Sequence, residues 1–379
     1  MMEKIRAFLS KEAVLVVAAL AAVTSCALVP FDEGYASYVD WRTLALLFSL
    51  MAVVTGLRFM GVMRLLGSWA VSRASSVRAL AFALVALTFV SSMTVTNDVA
   101  LITFVPLALV VLAEAGEGRF TASVVVLMTM SANLGSMLLP VGNPQNLFLY
   151  RVSGMDFFQF VLIMVPVVAL SAVMLVAAVL IVFRGNAEGL SNRTSYKALP
   201  RPTGRQRLMF VSYLLLFALS VMAVVGFIDA FAVAILVAFV LLFLDRRSLA
   251  KVDYGLLLTF VALFVFVGNM ARVPAVHEAL SALVGIAPFC AAVGSSQVIS
   301  NVPAAVLLSG FTNDWTALIV GTNLGGLGTP IASMASLISL KIATASGLVG
   351  KRHYLAVFTV WNVAFLVALC GANMLFGWA

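Results

Sequence analysis

Apolar residues run in long blocks along nearly the whole chain, separated by short polar or basic breaks. A helix needs about 20 apolar residues to cross the hydrocarbon core of a bilayer. The blocks 13–30, 41–57, 120–149, 157–183, 208–227, 229–244, 255–271, 315–345 and 352–376 are predicted to cross. Two further blocks, 79–112 and 279–311, carry a polar cluster at the midpoint. Each is short for two crossings and a turn, so each is predicted to be a re-entrant hairpin that enters and leaves on one side. Irregular backbone at that depth is tolerated only where protein or a water-filled cavity covers it. The expected fold is an all-α polytopic membrane protein with about nine transmembrane helices plus two re-entrant hairpins.

Composition agrees with lipid as the solvent. The 379 residues are 63% hydrophobic and 10% charged, against about a quarter charged in soluble domains, and mean hydropathy is +1.13. The net charge of +8 is a matter of topology rather than of nucleic acid. With the N-terminus in the cytoplasm, 20 of the 23 basic residues fall on the cytoplasmic side, and only Arg42, Arg151 and Arg272 fall outside. That asymmetry obeys the positive-inside rule and faces anionic headgroups. It places a multi-pass protein in the inner (plasma) membrane with its C-terminus outside. Lys4, Arg6 and Lys11 before the first apolar run resemble a signal peptide in outline; the run is long enough to span and is read as uncleaved. Cys26, Cys290 and Cys370 are odd in number and lack CxxC spacing, which argues against a disulfide framework or a zinc site. No HExxH, nucleophile elbow or P-loop occurs, so neither a membrane enzyme nor an ATP-driven pump is expected, and no cofactor.

Three sequence blocks recur in the same order. VDWRTLALLFSL from Val39 matches VDYGLLLTFVAL from Val252, and SSMTVTNDVA from Ser91 matches SSQVISNVPA from Ser295. SANLGSMLLPVGNPQN from Ser131 matches GTNLGGLGTPIASMAS from Gly321, aligning Asn133 with Asn323, Gly135 with Gly325 and Pro140 with Pro330. The span 13–30 corresponds to 229–244, five crossings later. An odd offset implies opposite orientation, hence two inverted repeats, the usual basis of alternating access. The predicted organisation is an N-terminal repeat over 1–183 with a cytoplasm-side hairpin 79–112. A cytoplasmic linker and linking helix follow over 184–228. The C-terminal repeat covers 229–379, with an outside hairpin 279–311.

Broken helices at corresponding positions of two repeats point to a binding site. The hairpin tips carry Thr96, Asn97 and Asp98, and Ser300 and Asn301. The interrupted spans break around Gly142, Asn143, Pro144 and Asn146, and around Gly325, Gly328, Thr329 and Pro330, each preceded by an asparagine, Asn133 or Asn323. Proline removes a helix hydrogen bond and glycine permits other backbone angles. The freed carbonyls suit Na⁺, and amides at half-helix N-termini favour an anion. Kinked helices with small packing residues are the bland alternative; four breaks in two matched pairs favour a site. Asp98 is the carboxylate at a hairpin tip, and intramembrane charge is costly. It suits Na⁺ or a proton, the alternative being a helix cap. Na⁺ would be held at Asn97, Asp98 and Asn301, with Na⁺ or H⁺ as the coupling ion. No Arg or Lys lies in any break, which suits a small or weakly charged substrate.

From about Val39 to its end the chain resembles the ion transporter superfamily, which includes divalent anion:sodium symporters, citrate-type permeases, arsenite efflux permeases and one class of Na⁺/H⁺ antiporters. The Ser-Asn-Thr tip triplets of the anion symporters are matched by Thr96-Asn97-Asp98 and Ser300-Asn301-Val302, which depart at the third position. The G-x-P-x-N ending after a glycine-rich break is matched by Gly142-Asn143-Pro144-Gln145-Asn146; the break from Gly325 to Pro330 lacks it. Thr96-Asn97-Asp98-Val99-Ala100 also resembles the arsenite permease tip. The resemblance implies an elevator motion against a scaffold shared by a homodimer, with segment 58–78 as an amphipathic arm. The expected function is a secondary transporter for a small anion or oxyanion coupled to Na⁺ or H⁺. An arsenite efflux permease or a Na⁺/H⁺ antiporter is the alternative.

Overall fold

The computed structural model describes residues 12–184 and 204–378. Among them the chain is all helix, with no strand. The first half comprises α1 (Ala13–Ser25), α2 (Trp41–Phe59), α3 (Val62–Ser72), α4 (Val77–Val95), α5 (Asn97–Glu114), α6 (Thr121–Ser136), α7 (Pro144–Ser153) and α8 (Phe157–Val182). Helix α9 (Gly204–Val225) follows. The second half comprises α10 (Ala230–Leu244), α11 (Tyr254–Ala271), α12 (Pro274–Ile286), α13 (Pro288–Ile299), α14 (Asn301–Leu308), α15 (Trp315–Leu324), α16 (Met334–Ala345) and α17 (Lys351–Phe376). The linker residues 185–203 and the basic N-terminus lie outside the described residues, so the cytoplasmic assignment of both does too.

Seven helices among the described residues are long and apolar enough to cross a membrane, or eight if the bent pair α12–α13 is one span. The long helices turn large apolar side chains outward: Phe158, Leu162 and Val173 on α8 are 75%, 70% and 65% exposed. In water such faces would be costly; in lipid they are solvated. The chain is a multi-pass membrane protein.

The expected spans differ in detail. The block 13–30 is helical only over α1, 13 residues, and α10 has 15. At 1.5 Å per residue these reach roughly 20–23 Å, less than the hydrocarbon thickness of about 30 Å. The blocks 120–149 and 315–345 are broken as expected, at 137–143 and at 325–333. The length of the block 79–112 predicts too few residues for two crossings and a turn. Its helices in fact run from Val77 to Glu114 and spend a single residue, Thr96, on the turn, so α4 and α5 are each long enough to cross. The block 279–311 differs more. Residues 279–286 belong to α12, which meets α13 at a bend of 110°. Ala287 precedes Pro288 and is driven out of the helical region, to φ −152° and ψ 74°, because the proline ring clashes with a helical predecessor. The hairpin proper is α13–Ser300–α14.

The halves interlock. Helix α1 packs on α11, and its counterpart α10 packs on α2. The second hairpin arm α5 packs on α16, and its counterpart α14 packs on α7. Each hairpin's first arm lies against the half-helix that precedes a break, α4 on α6 and α13 on α15. These last approaches are close because of matched glycines. A Cβ on Gly135 would lie 2.2 Å from the Phe89 carbonyl oxygen and 2.6 Å from Ser92 Oγ; one on Gly325 would lie 2.6 Å from Ser296 Cβ. Ser92 and Ser296 are themselves aligned in the repeated blocks.

Candidate functional site

Four helices, α5, α7, α14 and α16, begin at the hairpin tips and the breaks. Each joint follows from local chemistry. Asn143 caps α7: its Oδ1 accepts from the Asn146 amide at 2.9 Å, and Pro144 takes the first helical position, where no N–H is needed. Gly142 lets the chain fold back on itself, since a Cβ there would lie 2.1 Å from the Ser136 carbonyl oxygen. At the tips, Thr96 (φ 73°, ψ 146°) and Ser300 (φ 74°, ψ 153°) take a backbone conformation that normally requires glycine.

The asparagines then join across the halves. Asn97 Nδ2 donates to Asn133 Oδ1 at 3.2 Å, and Asn133 Nδ2 donates to the Gly326 carbonyl at 3.3 Å. Ser333 Oγ donates to the same Asn133 Oδ1 at 3.1 Å. Asn143 Nδ2 donates to Asn323 Oδ1 at 3.2 Å, and Asn323 Nδ2 donates to Asn146 Oδ1. Ser136 links the two sets: its Oγ donates to the Asn133 carbonyl at 2.9 Å and accepts from Asn143 Nδ2 at 3.2 Å. Asn301 joins through its backbone, N–H to the Ala332 carbonyl at 2.9 Å. All these side chains are buried, Asn97 the most exposed of them at 6%. Burying so many amides is tolerable only because they satisfy one another.

The pattern is reciprocal. Asn133 aligns with Asn323, and Asn143 with Ser333. The bonds run Asn133 to Ser333 and Asn323 to Asn143, so each half's pre-break asparagine meets the other half's post-break cap.

The structure thus brings together Asn97, Asn133, Asn143, Asn146, Asn301 and Asn323, with Gly142, Gly325 and Pro144 shaping the backbone. Thr329 and Pro330 stand at the margin; Thr329 is exposed and bonded to Gln297. Asp98 lies in the first turn of α5 beside Asn97, and its Oδ1 is buried with no hydrogen-bond partner, which suits a coordinating cation or a proton. Ser333 and Ser136 are not among the residues singled out from sequence, and Gly326 and Gln297 lie in the predicted break and tip without being assigned a role; Ser333 is findable as the aligned partner of Asn143. Several carbonyls at the breaks already accept hydrogen bonds. Asn146 Nδ2 reaches those of Ser136, Met137 and Leu139, and Gln297 Nε2 those of Gly325 and Leu327. Ser300 also lines an apolar crevice of about 330 Å³ against α1 and α11, with Val17, Phe266 and Val298.

Multi-pass architecture with paired broken helices around a buried polar centre defines a membrane transporter. The family model described as citrate transporter, CitMHS, matches residues 1–312, and the chain belongs to that family. It is 30% identical to the inner membrane protein YbiR of Escherichia coli over 331 residues, 86% of each chain. It is 28% identical to the uncharacterized transporter MJ0456 of Methanocaldococcus jannaschii over 339 residues, 89% of this chain and 90% of the other. A shorter match, 35% over 136 residues, joins 36% of this chain to 27% of the rice silicon efflux transporter LSI3.

Proposed function

We propose that the chain is a secondary active transporter that moves a small anion or oxyanion across the inner membrane, coupled to Na⁺ or H⁺. The observation that carries this reading is the neutral asparagine network on which the starts of α5, α7, α14 and α16 meet. The first amides of a helix are unpaired and carry partial positive charge. Four such ends supply attraction for an anion without a lysine or arginine, and amide side chains supply orientation.

The two halves act as inverted repeats, and the reciprocal bonding of Asn133 with Ser333 and Asn323 with Asn143 supports that relation. The hairpins and half-helices move as a unit against a scaffold of α1, α2, α10 and α11 in a homodimer. The apolar crevice beside Ser300 supports this elevator reading, because an apolar boundary lets the moving part slide without breaking hydrogen bonds. The N-terminus lies in the cytoplasm and the C-terminus outside, a reading that the distribution of basic residues supports.

A second reading within the family of folds, arsenite-type efflux or Na⁺/H⁺ exchange, draws on Asp98, whose unpartnered oxygen would repel a dianion unless neutralised. The relatives' names point both ways, citrate for the family and silicon efflux for the rice protein.

The test is thermal stabilisation of the purified protein by a panel of small carboxylates and oxyanions, with and without Na⁺, at two pH values. A ligand that binds only the native state raises apparent stability by mass action. A shift that needs both an anion and a coupling ion supports symport. A shift with Na⁺ or pH alone transfers the assignment to the exchange reading.

A further inference from the structure

Gln297 lies on α13, three residues before the Ser300 tip; the residue aligned with it in the first hairpin is Met93. Its Nε2 sits 2.8 Å from the Gly325 carbonyl oxygen, 3.0 Å from that of Leu327 and 3.2 Å from that of Val293. Three backbone carbonyls from two separate segments therefore converge on one nitrogen. Converging carbonyls with no counter-charge are the usual surroundings of a small hard cation. The other end of the amide is held as firmly. Oε1 accepts from the Thr329 amide at 2.9 Å, and Thr329 Oγ1 donates back to the Gln297 carbonyl at 3.0 Å. Gly328, at φ +97°, leaves the room: a Cβ there would lie 2.3 Å from Gln297 Oε1.

Two further carbonyls of this break are also engaged. That of Gly326 accepts from Asn133 Nδ2, and that of Ala332 from the Asn301 amide. In the first break the sealing amide, Asn146, comes from the helix that follows the break, whereas the second break has Ser336 at that place and takes its amide from the hairpin. A methionine at position 93 has no N–H to offer.

We infer that the side-chain amide of Gln297 takes the place of a cation at the second break, so that this half of the site binds no Na⁺ and cation coupling is confined to the first hairpin, beside Asp98. The inference rests on the transporter reading above and deepens it by assigning the coupling ion to one half. It makes Gln297 a specificity-determining residue: its N–H groups compensate the carbonyls permanently, and no ion has to arrive before the second tip closes on its break.

The test uses the full chain in detergent and compares apparent Tm in NaCl with that in choline chloride at matched ionic strength. The Na⁺-specific increment is expected to be larger in Gln297→Ser and in the near-isosteric Gln297→Glu than in the wild type, by about 2 °C or more. An increment equal to or smaller than the wild type's in a variant that still unfolds cooperatively overturns the inference. The wild type decides it independently: its Na⁺ titration is expected to follow one site or none, and a steeper two-site response overturns it. Both readouts report Na⁺ without any substrate. Failure of the transport reading would appear instead as absence of substrate stabilisation and uptake.

Discussion

Thr96 and Ser300, one at each hairpin tip, share a backbone conformation to within 1° in φ and 7° in ψ. They are the non-glycine residues with positive φ among the described residues. A side chain in this region costs of order 1–3 kcal/mol, and glycine gives back about 0.5–1 kcal/mol through the unfolded chain. Thr96→Gly and Ser300→Gly are therefore expected to raise stability by about 1 kcal/mol each while lowering transport, if the hydroxyls contact the substrate or ion. Thermal unfolding and uptake by the same preparations check this. A fall in Tm would mean that contacts such as Ser300 Oγ to the Ala332 carbonyl outweigh the strain.

Asn323 accepts from Asn143 and donates to Asn146. Asn323→Ala strands the buried Asn146 Oδ1, at about 1–3 kcal/mol, whereas Asn143 Nδ2 keeps its bonds to Ser136. Double-mutant cycles on Asn133 with Ser333, and on Asn143 with Asn323, are expected to give similar coupling energies of about 0.5–1.5 kcal/mol, because the two pairs are structural counterparts. Zero coupling in either pair would remove it from the network.

Gly135→Ala and Gly325→Ala drive a methyl into backbone or into a packed serine. Overpacking costs typically 1–3 kcal/mol or more, and both variants are expected to lower Tm and uptake together. Gly118→Ala, where a Cβ meets nothing within 4 Å, is the control and is expected to be silent.

Asn97→Ala and Asn301→Ala are each expected to abolish transport while the protein still elutes as a folded species. Wild-type uptake by both would remove the hairpin tips from the site. Asp98→Asn keeps the shape and removes the charge, and is expected to change the Na⁺ or pH dependence of uptake. An unchanged dependence would reduce Asp98 to a helix-start residue.

Arg272 grips Asp32 with two hydrogen bonds, at 3.0 and 2.6 Å, tying the loop after α1 to the end of α11. The Arg272 guanidinium holds the Asp32 carboxyl below its ordinary value of 3.8. A depressed native pKa contributes stability above the unfolded value that is lost as pH falls through the native one. Between pH 7 and pH 3 the wild type should therefore lose more Tm than Asp32→Asn. Parallel losses would show that the pair contributes nothing, as many exposed pairs do.

Much of this was legible from order along the chain. Apolar blocks report lipid-facing helices whatever their partners, and proline and glycine mark breaks through backbone geometry alone. The blocks from Ser91 and Ser295, and from Ser131 and Gly321, placed Asn97, Asn133, Asn143, Asn146, Asn301 and Asn323 at tips and breaks before any contact was known. Helix lengths were less legible. The turn at Thr96 takes a single residue through a strained φ, and the bend at Ala287 detaches α12 from the hairpin. Hydropathy does not report backbone angles.

Residue order alone sets the solvent, the paired breaks and the absence of cationic side chains at their centre. Each is a property of single residues or of local spacing. The folded arrangement is what brings Asn133 to Ser333, Asn323 to Asn143, and Gln297 to carbonyls about thirty positions away. Those bonds depend on where half-helices come to rest when α4 closes on α6 and α13 on α15 around Gly135 and Gly325. Chain order carries no distance between residues that far apart.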